Sequence, residues 1–105
     1  MSRTTIIRNG RVITASDDYT ADVLMQDGVV RAIGKQLEAG PDVTVVDATN
    51  LYVLPGGVDT HVHMENVIGP TVTCDTFASG TKAAAFGGTT TVVDFALQTA
   101  EKTFQ

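Results

Sequence analysis

The sequence has 105 residues, of which 43% are hydrophobic and 18% are charged, and its formal net charge is −5. This length corresponds to one domain or to parts of two. The seven lysines and arginines are scattered, so no basic patch for nucleic acid is predicted. No apolar run reaches the length of a membrane span, and the first residues lack the apolar core of a signal peptide. We therefore expect a cytoplasmic protein with neither a nucleic-acid nor a membrane partner.

The single cysteine, Cys74, excludes an intrachain disulfide and a cysteine-rich zinc site. We interpret it as a small, buried or half-buried thiol. It is not predicted to be a nucleophile, because the chain contains no histidine beyond one close pair that could activate it.

Residues 1–54 show the pattern of short strands separated by turns. Asn9-Gly10 and Asp27-Gly28 each lie between two β-branched runs, and such dipeptides are typical of two-residue hairpin turns. A further strand is predicted over 43–47. Short strands at this spacing predict a β-sandwich portion over residues 1–54.

The pattern changes at Pro55, where a Pro-Gly-Gly turn precedes a strand over 58–63. An irregular loop is predicted for 64–73, a helix for 75–86 and a strand for 89–95. The last strand is nearly continuous in apolar and β-branched residues, as in a strand buried on both faces. Strand, helix and strand in this order form a βαβ unit whose two strands are parallel neighbours. The fold class expected overall is α/β.

Two local signals set the ends of the predicted helix. Asp75 or Thr73 can cap its first turn, since both side chains accept hydrogen bonds from free backbone N–H groups. Gly87-Gly88 supplies the left-handed residue that ends a helix.

The only two histidines of the chain, His61 and His63, lie two residues apart in the strand that follows the Pro-Gly-Gly turn. Side chains at positions i and i+2 of a strand point to the same face. Both imidazoles can therefore reach one ion, with metal–nitrogen bonds of about 2.0–2.1 Å. The alternative is a pair of ordinary polar histidines on a solvated strand. We favour a metal site, because a strand that ends in ligands is typical of barrel enzymes.

Two stretches of sequence resemble a known family. Residues 54–63 read Leu-Pro-Gly-Gly-Val-Asp-Thr-His-Val-His, and residues 77–95 read Phe-Ala-Ser-Gly-Thr-Lys-Ala-Ala-Ala-Phe-Gly-Gly-Thr-Thr-Thr-Val-Val-Asp-Phe. The first resembles the metal-binding motif of the amidohydrolase superfamily, and the second is similar to its dihydropyrimidinase and D-hydantoinase group. The resemblance covers only the amino-terminal portion of such proteins.

The resemblance implies a TIM-like (β/α)₈ barrel that begins within 55–105 and is incomplete there. It implies a centre of two divalent ions per subunit, usually zinc, with His61 and His63 as ligands and Asp59 as a carboxylate that holds backbone or ligand in place. The family's other ligands, including a carboxylated lysine, come from later strands. Lys82 and Lys102 do not match that lysine in position, so the 105 residues alone are expected to be inactive.

The resemblance further implies the reaction and its setting. The substrate is a small cyclic amide or imide, which metal-activated water opens to an N-carbamoyl amino acid, and the intact protein is a homotetramer. In this family the loop after the histidines covers the exocyclic group of the substrate. Met64, Val67 and Ile68 are therefore candidate pocket residues, although Met64 is equally explained by core packing.

Three alternatives stay open from the sequence. One is a non-catalytic relative, such as the dihydropyrimidinase-like cytosolic proteins of neurons, which have lost metal ligands. Another is a different cyclic amidohydrolase, such as allantoinase or dihydroorotase. The third is a freestanding β-rich binding module with a chance pair of histidines.

Overall fold

A computed structural model of the chain describes residues 3–97. Its elements, in chain order, are β1 (Thr4–Ile13), β2 (Asp18–Gln26), β3 (Val29–Gly34), β4 (Val43–Asp47), β5 (Tyr52–Val53), β6 (Gly57–Val62), β7 (Val67–Ile68), β8 (Thr71–Val72), α1 (Phe77–Phe86) and β9 (Thr89–Asp94). The structure is mixed α/β and mostly strand, which confirms the expected class. No helix in residues 3–97 has the length and apolar character needed to cross a membrane. The chain divides into two compact units, one ending at Pro55 and the other beginning at Gly56.

The first unit is built on one five-stranded sheet. Its main order is β3-β2-β1-β4, and β5 pairs with a later part of β1. The β1–β2 and β2–β3 pairs are antiparallel, whereas β4 and β5 both run parallel to β1. Within residues 3–97 these strands form a single sheet, and the second sheet that a sandwich requires is not among them.

The two hairpins predicted at Asn9-Gly10 and Asp27-Gly28 have different outcomes. Asp27 and Gly28 have φ angles of 52° and 78° and join β2 to β3, so the second predicted hairpin is confirmed. The first predicted hairpin is wrong, because Asn9 and Gly10 lie inside β1. Asn9 has φ 60°, and the pairing of β1 with β2 shifts register beside it. The tolerance of asparagine for a left-handed backbone conformation, which suits a hairpin turn, here allows a β-bulge.

The core of the first unit lies on one face of the sheet. Val12, Ala21 and Val23 are buried there, and half-buried Ile7, Met25 and Val53 pack against them. Ile6, next to Ile7 in β1 and therefore on the opposite face of the sheet, is also fully buried. This packing holds β1 and β2 together at the centre of the sheet.

Asp22 is a buried carboxylate with three hydrogen-bond donors. The Asn9 backbone N–H donates at 3.0 Å, the Arg8 guanidinium at 2.7 Å and the Leu37 backbone N–H at 3.1 Å. Led by the Asn9 N–H, these donors lower the pKa of Asp22 below its usual range against the opposing effect of burial. The bulge residue Asn9 is thus tied to the adjacent strand.

The second unit contains the predicted βαβ unit. β6 and β9 are parallel neighbours and α1 connects them, which confirms the expected topology. The segment predicted as an irregular loop contains a short antiparallel hairpin of β7 and β8.

The helix α1 begins two residues later than predicted. Thr76 is its cap: the Thr76 hydroxyl accepts from the Ser79 backbone N–H at 3.1 Å, and the Ser79 hydroxyl accepts from the Thr76 N–H at 3.0 Å. The prediction that Asp75 or Thr73 caps the helix is therefore wrong. At the other end Gly88 adopts φ 85°, as expected of the left-handed residue.

Candidate metal site

The two histidines converge at the carboxyl end of β6. The Nε2 atoms of His61 and His63 are 3.0 Å apart, and their ring centroids are 5.0 Å apart with the planes inclined by 71°. Both side chains are exposed. The structure therefore brings together the two residues that the sequence singled out as ligands.

This arrangement fits a shared metal ion. Two metal–nitrogen bonds of about 2.0–2.1 Å can span the 3.0 Å between the Nε2 atoms, and neutral imidazole is a favoured ligand of zinc. Without an ion, one Nε2–H can donate to the other Nε2 at the same distance. In residues 3–97 no group of three or more histidine, cysteine or acidic side chains could hold a metal. The pair can thus supply two ligands of a larger set.

Asp59 supports the backbone at the first histidine. Its Oδ1 accepts from the His61 backbone N–H at 3.1 Å. The pairing of β6 with β9 is irregular here, because Asp59 faces Val92 and Val62 faces Asp94. One extra residue in β6 makes a bulge, which takes an N–H out of the strand ladder and redirects side chains. The Asp59 carboxylate provides an acceptor at this bulge.

Phe95 contacts both imidazoles. Its ring is stacked on His63, with centroids 4.7 Å apart and planes inclined by 10°, and lies edge-on to His61 at 4.9 Å. Sequence reasoning gave Phe95 no role. A signal was present, because parallel neighbouring strands end at the same edge of a sheet and Phe95 directly follows β9.

Asn66 is a second neighbour that the sequence did not indicate. Its side-chain nitrogen lies 3.1 Å from Nδ1 of His63. An amide nitrogen donates to Nδ1, so the proton of the neutral ring then lies on Nε2, which is directed at the other histidine. Metal binding through Nε2 requires the amide to be rotated so that its oxygen accepts from Nδ1–H, and this contact would then fix the orientation of the ring. Nothing in the spacing of a loop residue predicts such a contact.

The carboxyl end of β9 is also linked by a hydrogen bond to the loop that follows the histidines. Asp94 accepts from the Met64 backbone N–H through Oδ2 at 2.9 Å and from the Phe95 backbone N–H through Oδ1 at 2.6 Å. These bonds join the residue that follows His63 to the residue whose ring contacts both imidazoles.

The three candidate pocket residues differ in their surroundings. The Met64 side chain packs on Gly80 of α1, where an added Cβ would lie 2.9 Å from Met64 Cε. Val67 and Ile68 form β7 and are exposed by 67% and 55%. Packing on the helix explains Met64, while a pocket role for Val67 and Ile68 stays a prediction.

The other residues considered in the sequence analysis, one cysteine and two lysines, are not assigned to the metal site. Cys74 is exposed, so the interpretation as a buried or half-buried thiol is wrong; its side chain lies beside Asp75 at 3.9 Å, in a loop before α1. Lys82 is an exposed residue of α1. Lys102 lies outside the described residues.

A cavity in the first unit offers a competing site. It measures about 860 Å³ and is lined by residues that include Arg8, Asp22, Lys35 and Glu38. Its carboxylate at Asp22 is already occupied by three donors, and Arg8 is paired with it at 2.7 Å. The cavity thus contains neighbouring charges that neutralise one another and no pair of ligating nitrogens, so the histidine pair is the better candidate.

Comparison with known proteins gives the family that this chain resembles. The amidohydrolase family profile matches residues 52–103, a range that contains both histidines. Residues 52–103 belong to the amidohydrolase family. The chain is 55% identical over 95 residues to D-hydantoinase from Geobacillus stearothermophilus, and this alignment covers 90% of the chain and 20% of that protein. It is 46% identical over 96 residues to dihydropyrimidinase from Rattus norvegicus, covering 88% of this chain and 18% of that protein.

Solved structures give the same grouping. The crystal structure of dihydropyrimidinase from Brevibacillus agri matches with a TM-score of 0.85 and 54% identity, over 97% of this chain and 22% of that one. The chain therefore spans about a fifth of the length of the curated relatives that it matches. The resemblance inferred from the two sequence motifs is confirmed.

Proposed function

We propose that this chain is the amino-terminal part of a metal-dependent hydrolase that opens a cyclic amide ring. The substrate class would be a dihydropyrimidine or a hydantoin, and the product an N-carbamoyl amino acid. The observation that carries the proposal is the convergence of two imidazole nitrogens to 3.0 Å at a strand end, within a segment 55% identical to a D-hydantoinase.

The architecture proposed for the intact protein extends the two units. Residues 1–54 would be part of a β-sandwich, and residues 55–105 would begin a (β/α)₈ barrel. The parallel β6–β9 pair with its connecting helix supports the second assignment, because this is the repeating unit of such a barrel. A barrel needs about 250 residues, and the matched relatives are about five times as long as this chain.

The residues of this chain would hold and orient one end of the metal centre. His61 and His63 would bind a divalent ion through Nε2, while Asp59 fixes the backbone of the first. Asn66 would orient the ring of the second by accepting from its Nδ1–H through the amide oxygen, in the rotated orientation of the amide. When bound, the ions supply the Lewis acidity that activates water for attack on the amide carbonyl. We propose two zinc ions per subunit, with the further ligands on later strands. The homotetramer stays a prediction from the family resemblance, and the cytoplasmic location stays a prediction from the sequence composition.

The decisive experiment is metal analysis of the full-length protein and of its His61→Ala and His63→Ala variants. We expect about two divalent ions per wild-type subunit, and loss of most metal and most hydantoin and dihydrouracil hydrolysis in each variant, because each removes a ligand from a shared ion. Thr60→Ala is the matched control, since it changes the neighbouring residue of β6 and removes no imidazole.

Two results would contradict the proposal in different ways. Unchanged metal content in both histidine variants would reject the ligand assignment. Metal loss in a protein that hydrolyses neither substrate would reject the activity; allantoin and dihydroorotate, tested next, would separate another cyclic amidohydrolase from a non-catalytic relative.

A further inference from the structure

The carboxylate of Asp94 connects the ends of two strands. Asp94 is the last residue of β9 and is half-buried. Its Oδ2 accepts from the Met64 backbone N–H at 2.9 Å, and its Oδ1 accepts from the Phe95 backbone N–H at 2.6 Å. In residues 3–97 no lysine, arginine or histidine forms an ion pair with it. Both oxygens are therefore engaged by backbone groups.

Each of these backbone groups controls one side of the histidine pair. Met64 directly follows His63, which lies beyond the last residue of β6 and so outside the regular strand. The bond from Met64 to Asp94 fixes the backbone at that point. The bond from Phe95 fixes the residue whose ring is stacked on His63 and edge-on to His61.

A shared ion makes this anchoring important. Both Nε2 lone pairs must reach one point, and a small rotation of the backbone after β6 would separate them. We infer that Asp94 is a positioning residue that sets the separation of the His61 and His63 nitrogens. The inference rests on the proposed metal site. The competing explanation is that Asp94 only terminates β9, in which case its loss lowers stability and leaves the metal environment unchanged.

The test compares Asp94→Ala and Asp94→Asn with Asp47→Ala in the full-length protein. Asp47 is the matched control: it also ends a strand that pairs in parallel, and its carboxylate accepts from the Thr49 backbone N–H at 3.0 Å, but it belongs to the first unit. Zinc affinity is measured by competition with a chelator, the cobalt-substituted protein is examined by visible absorption, and thermal unfolding is recorded for each variant.

We expect Asp94→Ala to weaken zinc binding by about 10–100-fold, the usual effect of removing a group that orients ligands, and to alter the cobalt spectrum. The zinc affinity of Asp94→Asn should lie between those of the wild type and Asp94→Ala, because the amide oxygen of the asparagine can still accept from one N–H. Asp47→Ala should keep the wild-type affinity and spectrum even where its unfolding temperature falls.

Wild-type affinity and an unchanged cobalt spectrum in Asp94→Ala would overturn the inference, whatever the loss of stability. If that variant cannot be recovered folded, the same readouts on Asp94→Asn decide in the same way. Failure of the proposed function would look different: the His61 and His63 variants would then also retain their metal. Metal loss in those two variants alone would reject only the role of Asp94.

Discussion

The close approach of Gly56 to Thr90 allows a quantitative test of how β6 is held against β9. A Cβ on Gly56 would overlap Oγ1 and Cγ2 of Thr90 and would lie 2.7 Å from its Cβ. The strand register explains this contact. Gly57 faces Thr89 and Val58 faces Thr91, so Thr90 is an extra residue in β9 whose side chain takes the space beside Gly56.

Gly56→Ala should therefore be strongly destabilising. Rotation of the Thr90 side chain cannot relieve the overlap, because the Cβ of Thr90 is fixed to the backbone and a β-branched side chain has few rotamers. The two strands must separate instead. Overpacking of this kind costs typically 1–3 kcal/mol, and the required backbone shift leads us to expect about 3 kcal/mol.

The assay is equilibrium unfolding in urea, with two glycines as internal references. Gly40→Ala should be neutral or slightly stabilising, because no atom lies within 4 Å of the added Cβ. Gly57→Ala should have a smaller cost than Gly56→Ala, because its nearest atom is 3.3 Å away. Combining Gly56→Ala with Thr90→Gly should recover much of the loss, and combining it with Thr90→Ala only part. A Gly56→Ala protein as stable as Gly40→Ala would refute the reasoning.

Two further predictions concern pH and specificity. The pKa of Asp22 is lowered in the fold, mainly by the Asn9 N–H, so the native state binds fewer protons than the unfolded state as the carboxyl titrates. Asp22 therefore stabilises the fold at pH values above the ordinary aspartate pKa, and this stabilisation is lost as the pH falls through the lowered pKa. Asp22→Asn should make the free energy of unfolding less dependent on pH below about pH 4. For specificity, truncating Val67 and Ile68 to alanine in the full-length protein should lower kcat/KM for an aryl-hydantoin relative to dihydrouracil by roughly 10–200-fold if they cover an apolar substituent. An unchanged ratio with unchanged metal content would exclude that role.

Local patterns were sufficient to predict the regular elements of the second unit. The β-branched run before Phe95 and the alanine-rich stretch that ends at Phe86 each have one plausible conformation, and their order requires parallel strands. The same approach could not assign the cap of α1. Asp75 and Thr76 are both good capping residues, and only the reciprocal bonds between Thr76 and Ser79 select the second.

The error at Asn9-Gly10 has a non-local cause. A hairpin turn and a bulge both use a left-handed residue, so the dipeptide fits either. The choice depends on β2, which pairs with β1 on both sides of Asn9, and on the Asp22 carboxylate, which accepts the Asn9 N–H. Neither partner is close in sequence, so hairpin statistics could not find them.

The histidine pair was predictable because residues i and i+2 of an extended segment point to the same side, which holds here although His63 is the first residue after β6. The direction of the Met64 side chain was not predictable, because it depends on a contact with α1 rather than on the strand. Its contact with Gly80 is made by a helix residue 16 positions later in the chain, as the residue numbers show. The absence of a side chain on Gly80 is what admits the thioether, and a glycine inside a helix was the signal available in the sequence.

Two aspartates show why irregular backbone accompanies this site. A regular ladder satisfies each N–H with the neighbouring strand, but it would also fix every side chain in strict alternation. Near His61 the ladder is interrupted by a bulge, and Asp59 accepts the His61 N–H. After Val62 the strand ends, and Asp94 accepts the Met64 N–H. A carboxylate at each departure from the ladder keeps the backbone hydrogen-bonded, which lets the chain adopt the conformation that brings two imidazole nitrogens to 3.0 Å.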